Sequence, residues 1–438
     1  MPHNSRLGIL VGGGPAPGIN SVIGAATIRA VLGGVEVLGI QEGFRWLMQG
    51  DTPHVTPLTI EDVSRIHFQG GSVLGTSRAN PTKDPARLEA TLQALQRLGV
   101  ERLITIGGDD TAFSALRLQQ HSGARLHVVH VPKTIDNDLD LPHGLSTFGY
   151  QTARHLGVEI VKNLMTDAKT TGRWYLILTM GRKAGHLALG IGKAAGATLT
   201  LIPEEFGAGP IRLAHVVDIL AGAVVKRLSQ DRPDGTAVLA EGLIEQLAPD
   251  DLAAFGSVER DEHDHLRLAD VDLAHAIKSR LRQRLQALGL QATLVVKDIG
   301  YELRCADPIP FDLEYTRDLG YCAAKYLLEG GSGAMVTLLE GHFYPLPFGE
   351  LLDPETGRTR VRLVDVSSER YKIARRYMVR LRRDDFDDPA NLARLAATAG
   401  LSVDAFRAQF GYLVADEPPP LHLVPAAPEE PARLSAAP

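Results

Sequence analysis

The sequence predicts an α/β protein built as two doubly wound, Rossmann-like lobes with mostly parallel sheets. Short apolar runs alternate with segments of helical spacing from residue 7 to residue 339. The alternation restarts after residue 150, which suggests two lobes. The strand-like runs end on glycine- or acid-rich turns, the place where open α/β sheets bind ligands.

The elements follow in order. Residues 7–11 (LGILV) form a strand, 12–18 (GGGPAPG) a glycine turn, and INSVIGAATIRAVL a helix. A second strand covers 35–40. The segment 85–98 is an amphipathic helix, with Pro85 in its first turn, where a missing N–H costs nothing. The strand 102–106 stops at GGDDT (107–111), helical spacing resumes over 112–120, and the strand 126–131 closes on PKTIDND (132–138). The second half gives a helix at 150–165, a strand at 174–179 ending on Met180-Gly181-Arg182, a helix at 186–195 and a strand at 197–202. A helix over 210–228 and a strand over 236–240 follow, the latter stopping at Glu241-Gly242. After a charged, irregular stretch at 249–270 come a helix at about 271–288 and a strand at 292–299 leading to Tyr301–Arg304. A helix at 314–328 and a strand at 334–339 end the alternation.

The expected organisation is a catalytic region over 5–380, with a first lobe at about 5–150, a second at about 151–340, and the chain crossing between them. A small helical extension covers 381–415, where 384–411 reads as two short helices and Asp387-Asp388-Pro389 as a helix start. The last stretch, 416–438, holds seven prolines and reads as a disordered tail.

Composition narrows the function. The 438 residues carry 46 Lys+Arg against 52 Asp+Glu, a formal charge of -6, so nothing global favours nucleic acid. Cys305 and Cys322 are the two cysteines, which excludes a disulfide framework or a four-ligand zinc site and suits a reducing cytosol. No apolar run reaches the roughly 18 residues that span a bilayer, and Met1–Leu10 shows no signal pattern. The expectation is a cytoplasmic protein without membrane or nucleic-acid partners. The skewed count is Gly, 44 of 438, or about 10% against a usual level of about 7%.

Four segments carry chemistry. GGGPAPG lets the backbone approach phosphates, and the helix after it offers unpaired N–H groups. It is not a Walker loop, because no Gly-Lys-Ser/Thr follows. The competing reading is an ordinary tight turn. GGDDT puts Asp109 where a Mg²⁺ ion can bridge phosphate oxygens; helix capping by Asp110 or Thr111 is the alternative. PKTIDND sets two carboxylates, Asp136 and Asp138, beside Lys133 and Thr134. One is a candidate general base and Lys133 a candidate anion holder, against a solvated Asx-rich turn. MGR (180–182) with Arg173 upstream suits a sugar phosphate, because guanidinium groups pair two N–H donors with it. Glu241, Tyr301 and Arg304 complete the set.

Taken together these segments resemble the phosphofructokinase family. GGGPAPGIN, GGSVLGTSR (70–78), GGDDTA, PKTIDND, MGRKAGH and AEG (240–242) stand in the family's order, and the likeness runs over most of 5–380. The resemblance implies the phosphofructokinase fold, Mg²⁺, phosphoryl transfer to the 1-hydroxyl of fructose 6-phosphate, and a homodimer or homotetramer with shared active sites. ATP users of the family have Gly where Asp110 and Lys133 stand here. A carboxylate at Asp110 repels a nucleotide's α-phosphate, and Lys133 neutralises a short donor. The resemblance therefore implies pyrophosphate as donor and a freely reversible reaction, with an ATP-dependent enzyme as the alternative. A regulatory subunit lacking chemistry would be expected to lose Asp109 or Asp136, and both are present.

The implied roles are as follows. Gly13 and Gly14 present backbone N–H groups to the donor, with Arg78 and Gly108 beside them, and Asp109 binds Mg²⁺. Asp136 is the base, Lys133, Asp110 and Thr134 act at the reacting groups, and Ile135 and Asp138 lie around them. Met180, Gly181, Arg182 and Glu241 hold the sugar. Arg173 and Arg304, with Tyr301, clamp the 6-phosphate, Arg173's counterpart coming from a neighbouring subunit. Lys133, three residues from Asp136, is expected to lower the pKa of the base. Two positions depart from the common pattern: Tyr301 replaces a His, and Val295 replaces a clamp Arg, with Lys297 as the candidate substitute.

Overall fold

The computed structural model describes residues 6–207, 209–253, 255, 272–355, 359–415 and 417. A seven-stranded sheet carries β1 (Arg6–Val11), β2 (Glu36–Ile40), β3 (Val55–Leu58), β4 (Val100–Gly107), β5 (His127–Pro132), β10 (Ala334–Leu339) and β11 (His342–Pro347). Their order is β11-β10-β5-β4-β1-β2-β3. The five inner strands are parallel. Helices cover both faces of such strands, so they read as unbroken apolar runs; Leu7, Ile9, Leu10 and Val11 are fully buried. The edge strands β3 and β11 are antiparallel. They carry Pro57, Pro345 and Pro347, which lack the N–H that an inner strand needs.

The second sheet is four-stranded and wholly parallel, in the order β7-β8-β6-β9, with β6 (Arg173–Thr179), β7 (Leu199–Leu201), β8 (Gly235–Ala240) and β9 (Thr293–Ile299). The mixed α/β class and mostly parallel sheets agree with the sequence. The second lobe expected over 151–340 is shorter, because the chain returns. Helix Pro310–Leu328 packs along helix Ile19–Leu32, and β10 pairs with β5. Periodicity looks the same whichever sheet receives a strand, so the return left no mark in it. Buried Asp312 anchors the return. Its carboxylate accepts hydrogen bonds from the Gly149 N–H (3.0 Å), the Thr152 N–H (2.8 Å) and the Thr152 hydroxyl (2.6 Å), satisfying the first turn of helix Tyr150–Thr171.

The C-terminal helices are part of the second lobe's core: Phe386, Leu392, Leu395, Phe406 and Phe410 are buried in one cluster with Trp174 and Leu239. The two helices expected over 384–411 are three, Arg383–Asp387, Pro389–Thr398 and Val403–Phe410, after a further one at Glu369–Tyr377. The break falls where Asp388 is extended before Pro389, and its carboxylate caps the Ala390 N–H at 2.9 Å. Of the charged stretch, Pro249–Ala253 is a short helix, while 256–270 lies outside the described residues, as does the expected tail apart from Glu417. No helix among the described residues is long and apolar enough to cross a membrane.

Candidate active site

In the first sheet β5, β4 and β1 are neighbours, and in the second β8, β6 and β9 are. The chain leaves β1 to one side for β2 and returns on the other as β4, so the carboxyl ends diverge there and leave a crevice. The corresponding three ends of the second sheet close it. A cleft of about 180 Å³ results, lined from all six strand ends. The first sheet contributes Gly13, Gly14, Gly108, Asp109 and Asp110, and then Lys133 through Asp136 and Asp138. The second contributes Arg182, Lys183, Glu241 and Arg304, and Arg78 enters from the loop before helix Pro85–Arg97.

The glycine turn is shaped by what presses on it. Gly13 has φ +80°, and a Cβ there would lie 3.3 Å from the Lys133 ammonium; at Gly14 it would lie 3.4–3.6 Å from the Arg304 guanidinium. The Gly14 carbonyl accepts a hydrogen bond from Lys133. The Gly13 N–H donates to the Ser77 carbonyl at 2.8 Å, so it is not aimed at a donor molecule as the sequence reading expected.

At the end of β4, Gly108 is the N-cap and helix Asp109–Ser122 starts at Asp109, so neither Asp110 nor Thr111 is the capping residue. Asp109 and Asp110 stand in the first turn, where the helix dipole favours carboxylates. Lys183 reaches across from the second sheet and binds Asp109 Oδ2 at 2.8 Å. The Gly107 carbonyl before this turn accepts from the Lys133 N–H (2.8 Å) and the His130 ring (2.9 Å). His130 is fully buried, and loss of hydration pushes its pKa down to about 3, so it stays neutral and ties the β4 and β5 turns together.

In PKTIDND, the Asp136 N–H donates to the Thr134 hydroxyl at 3.0 Å and the Thr147 hydroxyl to the Thr134 carbonyl at 2.7 Å. The Asp136 pKa is pushed up to about 6, first by burial and then by the Glu241 charge, while Arg304, Arg182 and Lys133 pull it down. Lys133 therefore acts in the expected direction but does not prevail. Asp138 is pushed to about 7 by burial and then by Asp136 and Asp109. Lys133 is lowered to about 8 by burial and by Arg304, against Asp136 and Asp138.

Five expected residues stand off the cleft. The Gly181 N–H donates to Glu241 Oε1 (3.1 Å) and the Met180 N–H to the Ile299 carbonyl (3.3 Å), so both fasten the end of β6 to its neighbours. Tyr301 is 68% exposed, with the Arg304 guanidinium 5.3 Å from its ring centroid. Arg173 begins β6, at the end of the strand far from Met180, beside Asp167 at 3.7 Å; one chain alone does not bring it to the site. Lys297 pairs with Glu302 at 3.8 Å and does not line the cleft, and neither does Val295. Lys183 and His130 were missed. The signal for Lys183 was available, a cation three residues after Met180 in MGRKAGH.

The family model for phosphofructokinase matches residues 6–327. The chain is 53% identical over 410 residues to a pyrophosphate–fructose 6-phosphate 1-phosphotransferase of Thermotoga maritima, covering 92% of this chain and 98% of that protein. It is 52% identical over 417 residues to a protein of the same name in Naegleria fowleri, covering 93% and 95%. An ATP-dependent 6-phosphofructokinase of Spirochaeta thermophila is 32% identical over 369 residues, covering 80% and 92%. Among solved structures, a pyrophosphate-dependent phosphofructokinase from Nitrosospira multiformis superposes with a TM-score of 0.65 at 17% identity, over 86% of this chain and 91% of that one, a likeness of fold.

Proposed function

The chain belongs to the phosphofructokinase family, and from that membership and the cleft we propose that it phosphorylates fructose 6-phosphate at the 1-hydroxyl with pyrophosphate as donor, reversibly. The observation that carries the donor choice is that Asp110 and Lys133 both line the cleft beside the glycine turn. A carboxylate there disfavours a nucleotide's α-phosphate, and the ammonium matches a donor that ends at two phosphates. The two relatives above 50% identity that bear the pyrophosphate name support the same reading.

Phosphoryl transfer asks a protein mainly for positioning and charge stabilisation. The sugar O1 attacks the terminal phosphorus, its proton passes to Asp136, and the bridging P–O bond breaks with its electron pair on the departing phosphate. With a pKa near 6, Asp136 is ionised at neutral pH yet basic enough to take that proton. Lys133 and Arg78 face the donor, with Gly14, Gly108, Asp110 and Thr134 shaping its place. Arg182, Glu241 and Arg304 face the sugar phosphate beside Ile135.

Among the described residues no cluster of three or more His, Cys, Asp or Glu forms a metal cage. Mg²⁺ does not need one, since it binds through one or two carboxylates together with substrate phosphates. Asp109, with Asp138 in the same cleft, fits that donor set and would hold the ion, which supplies charge neutralisation at the phosphate oxygens when bound. Arg173's distance from the cleft suits a 6-phosphate clamp completed by a second copy, hence a homodimer or homotetramer. Both cysteines are free thiols, in keeping with a cytoplasmic enzyme.

A coupled assay with pyrophosphate or ATP as the only donor tests the proposal. Turnover with pyrophosphate is expected; turnover with ATP alone overturns the donor assignment.

A further inference from the structure

Asp136 and Asp138 flank Asn137, whose φ is +57°. Asn enters this left-handed region more readily than most residues, but the conformation persists only where surroundings fix it. Here it sets the direction of two carboxylates that both line the cleft. Within the loop the Thr147 N–H donates to Asn137 Oδ1 at 3.1 Å; the rest of what fixes it comes from residues 359–364, beyond the stretch that the family model matches. The Arg362 guanidinium donates to the Asn137 carbonyl from Nε (3.2 Å) and Nη2 (2.9 Å), to Asn137 Oδ1 from Nη2 (2.5 Å), and to the Leu145 carbonyl from Nη1 (2.7 Å). Its backbone N–H donates to the Asp138 carbonyl at 2.8 Å, and Val361 bridges Leu139 in antiparallel fashion. One side chain thus ties Asn137 of PKTIDND to Leu145, on the limb that returns towards helix Tyr150–Thr171.

The same segment is tied to the second lobe. His186 Nε2 donates to the Arg362 carbonyl (3.1 Å), and the Val364 N–H donates to Glu204 Oε1 (3.0 Å). Glu204 Oε1 also accepts the Gly185 N–H at 2.8 Å, next to the turn that carries Arg182 and Lys183. The guanidinium touches carbonyl and amide oxygens of the loop, so its donors are used for geometry. Holding a carbonyl and a side-chain amide of one residue in a fixed fork is what guanidinium does and ammonium does not.

We propose that Arg362 is a positioning residue for the transfer step: acting through Asn137, it holds Asp136 and Asp138 in their working directions and ties that geometry to the second lobe. This rests on the phosphotransferase reading above. A residue with only a bulk structural role would lower stability and substrate affinity along with turnover. A positioning residue lowers kcat alone.

The test is Arg362→Ala beside Arg362→Lys, assayed with whichever donor the wild type uses. A cavity of about 340 Å³, lined by Asp140, Leu141, Pro142, Glu350 and Arg360, adjoins Arg362, so a free guanidinium ion can reach the space the truncation leaves. In Arg362→Ala, kcat is expected to fall on the order of 10²-fold with both KM values little changed. Guanidinium chloride well below denaturing concentration should restore much of it without affecting the wild type. Arg362→Lys should keep the low kcat and normal KM values, and it carries the test if the alanine variant does not fold. Wild-type kcat in either variant, or a parallel loss of kcat and affinity with no guanidinium recovery, overturns the proposal. If the wild type transfers phosphate from neither donor, the function reading fails, and amide hydrogen exchange over 134–147 still decides the positioning claim. Faster exchange in Arg362→Ala supports it, and unchanged exchange overturns it.

Discussion

The two halves of the cleft are chemically unlike. The first sheet brings four carboxylates, Asp109, Asp110, Asp136 and Asp138; burial lifts Asp136 and Asp138 well above the usual carboxylate range, helped by the Glu241 charge at Asp136 and by Asp136 and Asp109 at Asp138. The second brings three cations, Arg182, Lys183 and Arg304, and one carboxylate, Glu241, which burial also raises. Perturbed carboxylates are suited to moving protons and holding a cation, and guanidinium groups to gripping phosphate. On the proposed function the difference teaches a division of labour, with proton transfer, the metal and the donor phosphates on the first sheet and the grip on the sugar phosphate on the second. Across the middle, Lys183 on Asp109 joins the two.

The sharpest way to break that division is to remove one member from each half. Asp136→Ala should lower kcat by about 10²–10⁴-fold, the usual worth of a general base, while the variant still binds fructose 6-phosphate in a calorimetric titration. Near-normal kcat would sink the base assignment. Arg304→Ala should do the reverse. A hydrogen bond to a charged group is worth about 1.5–3 kcal/mol, so kcat/KM for the sugar phosphate should fall about 10- to 100-fold, mostly through KM. If Arg304→Ala lowers kcat with KM unchanged, the grip is not on the second sheet.

How much of this division the sequence displayed depends on what each feature requires. Strands such as LGILV are apolar throughout because both faces are covered, so they stand out, and with them the turns that carry GGDDT and PKTIDND. Three kinds of feature were hidden. Edge strands β3 and β11 contain proline and polar residues, which break the apolar run, and β3 is only four residues long. The return of residues 310–347 to the first sheet depends on which edge is open, a property of the whole fold. Arg362 and His130 act through carbonyl groups, and a backbone acceptor has no residue type to recognise in sequence. Lys133 lowers the Asp136 pKa, as its place three residues away suggests, while the burial and the Glu241 charge that outweigh it come from the assembled cleft and leave no mark in the sequence. Arg173 matches the family pattern, yet its strand carries it away from the cleft, so the role proposed for it needs a second copy of the chain.

The smallest expected effects concern pH, and they sharpen the first half of the comparison. If Asp136 is the base and its pKa lies near 6, kcat/KM should decline on the acid side with a bend near pH 6 rather than near 3.8, the ordinary value for an Asp carboxyl. The sign for stability runs the other way. Between the unfolded value of 3.8 and about 6 the folded protein binds more protons at this site than the unfolded chain, so Asp136 makes stability fall as pH rises through that window. At neutral pH its charge is an unfavourable one, held for function. Asp136→Asn removes the charge and keeps the shape, so it should melt above the wild type at pH 7, with the advantage fading as pH drops towards 4. A thermal melt series over that range checks it. A variant that melts lower at every pH would mean that Asp136 is held by favourable partners, and the burial argument for a raised pKa would be lost with it.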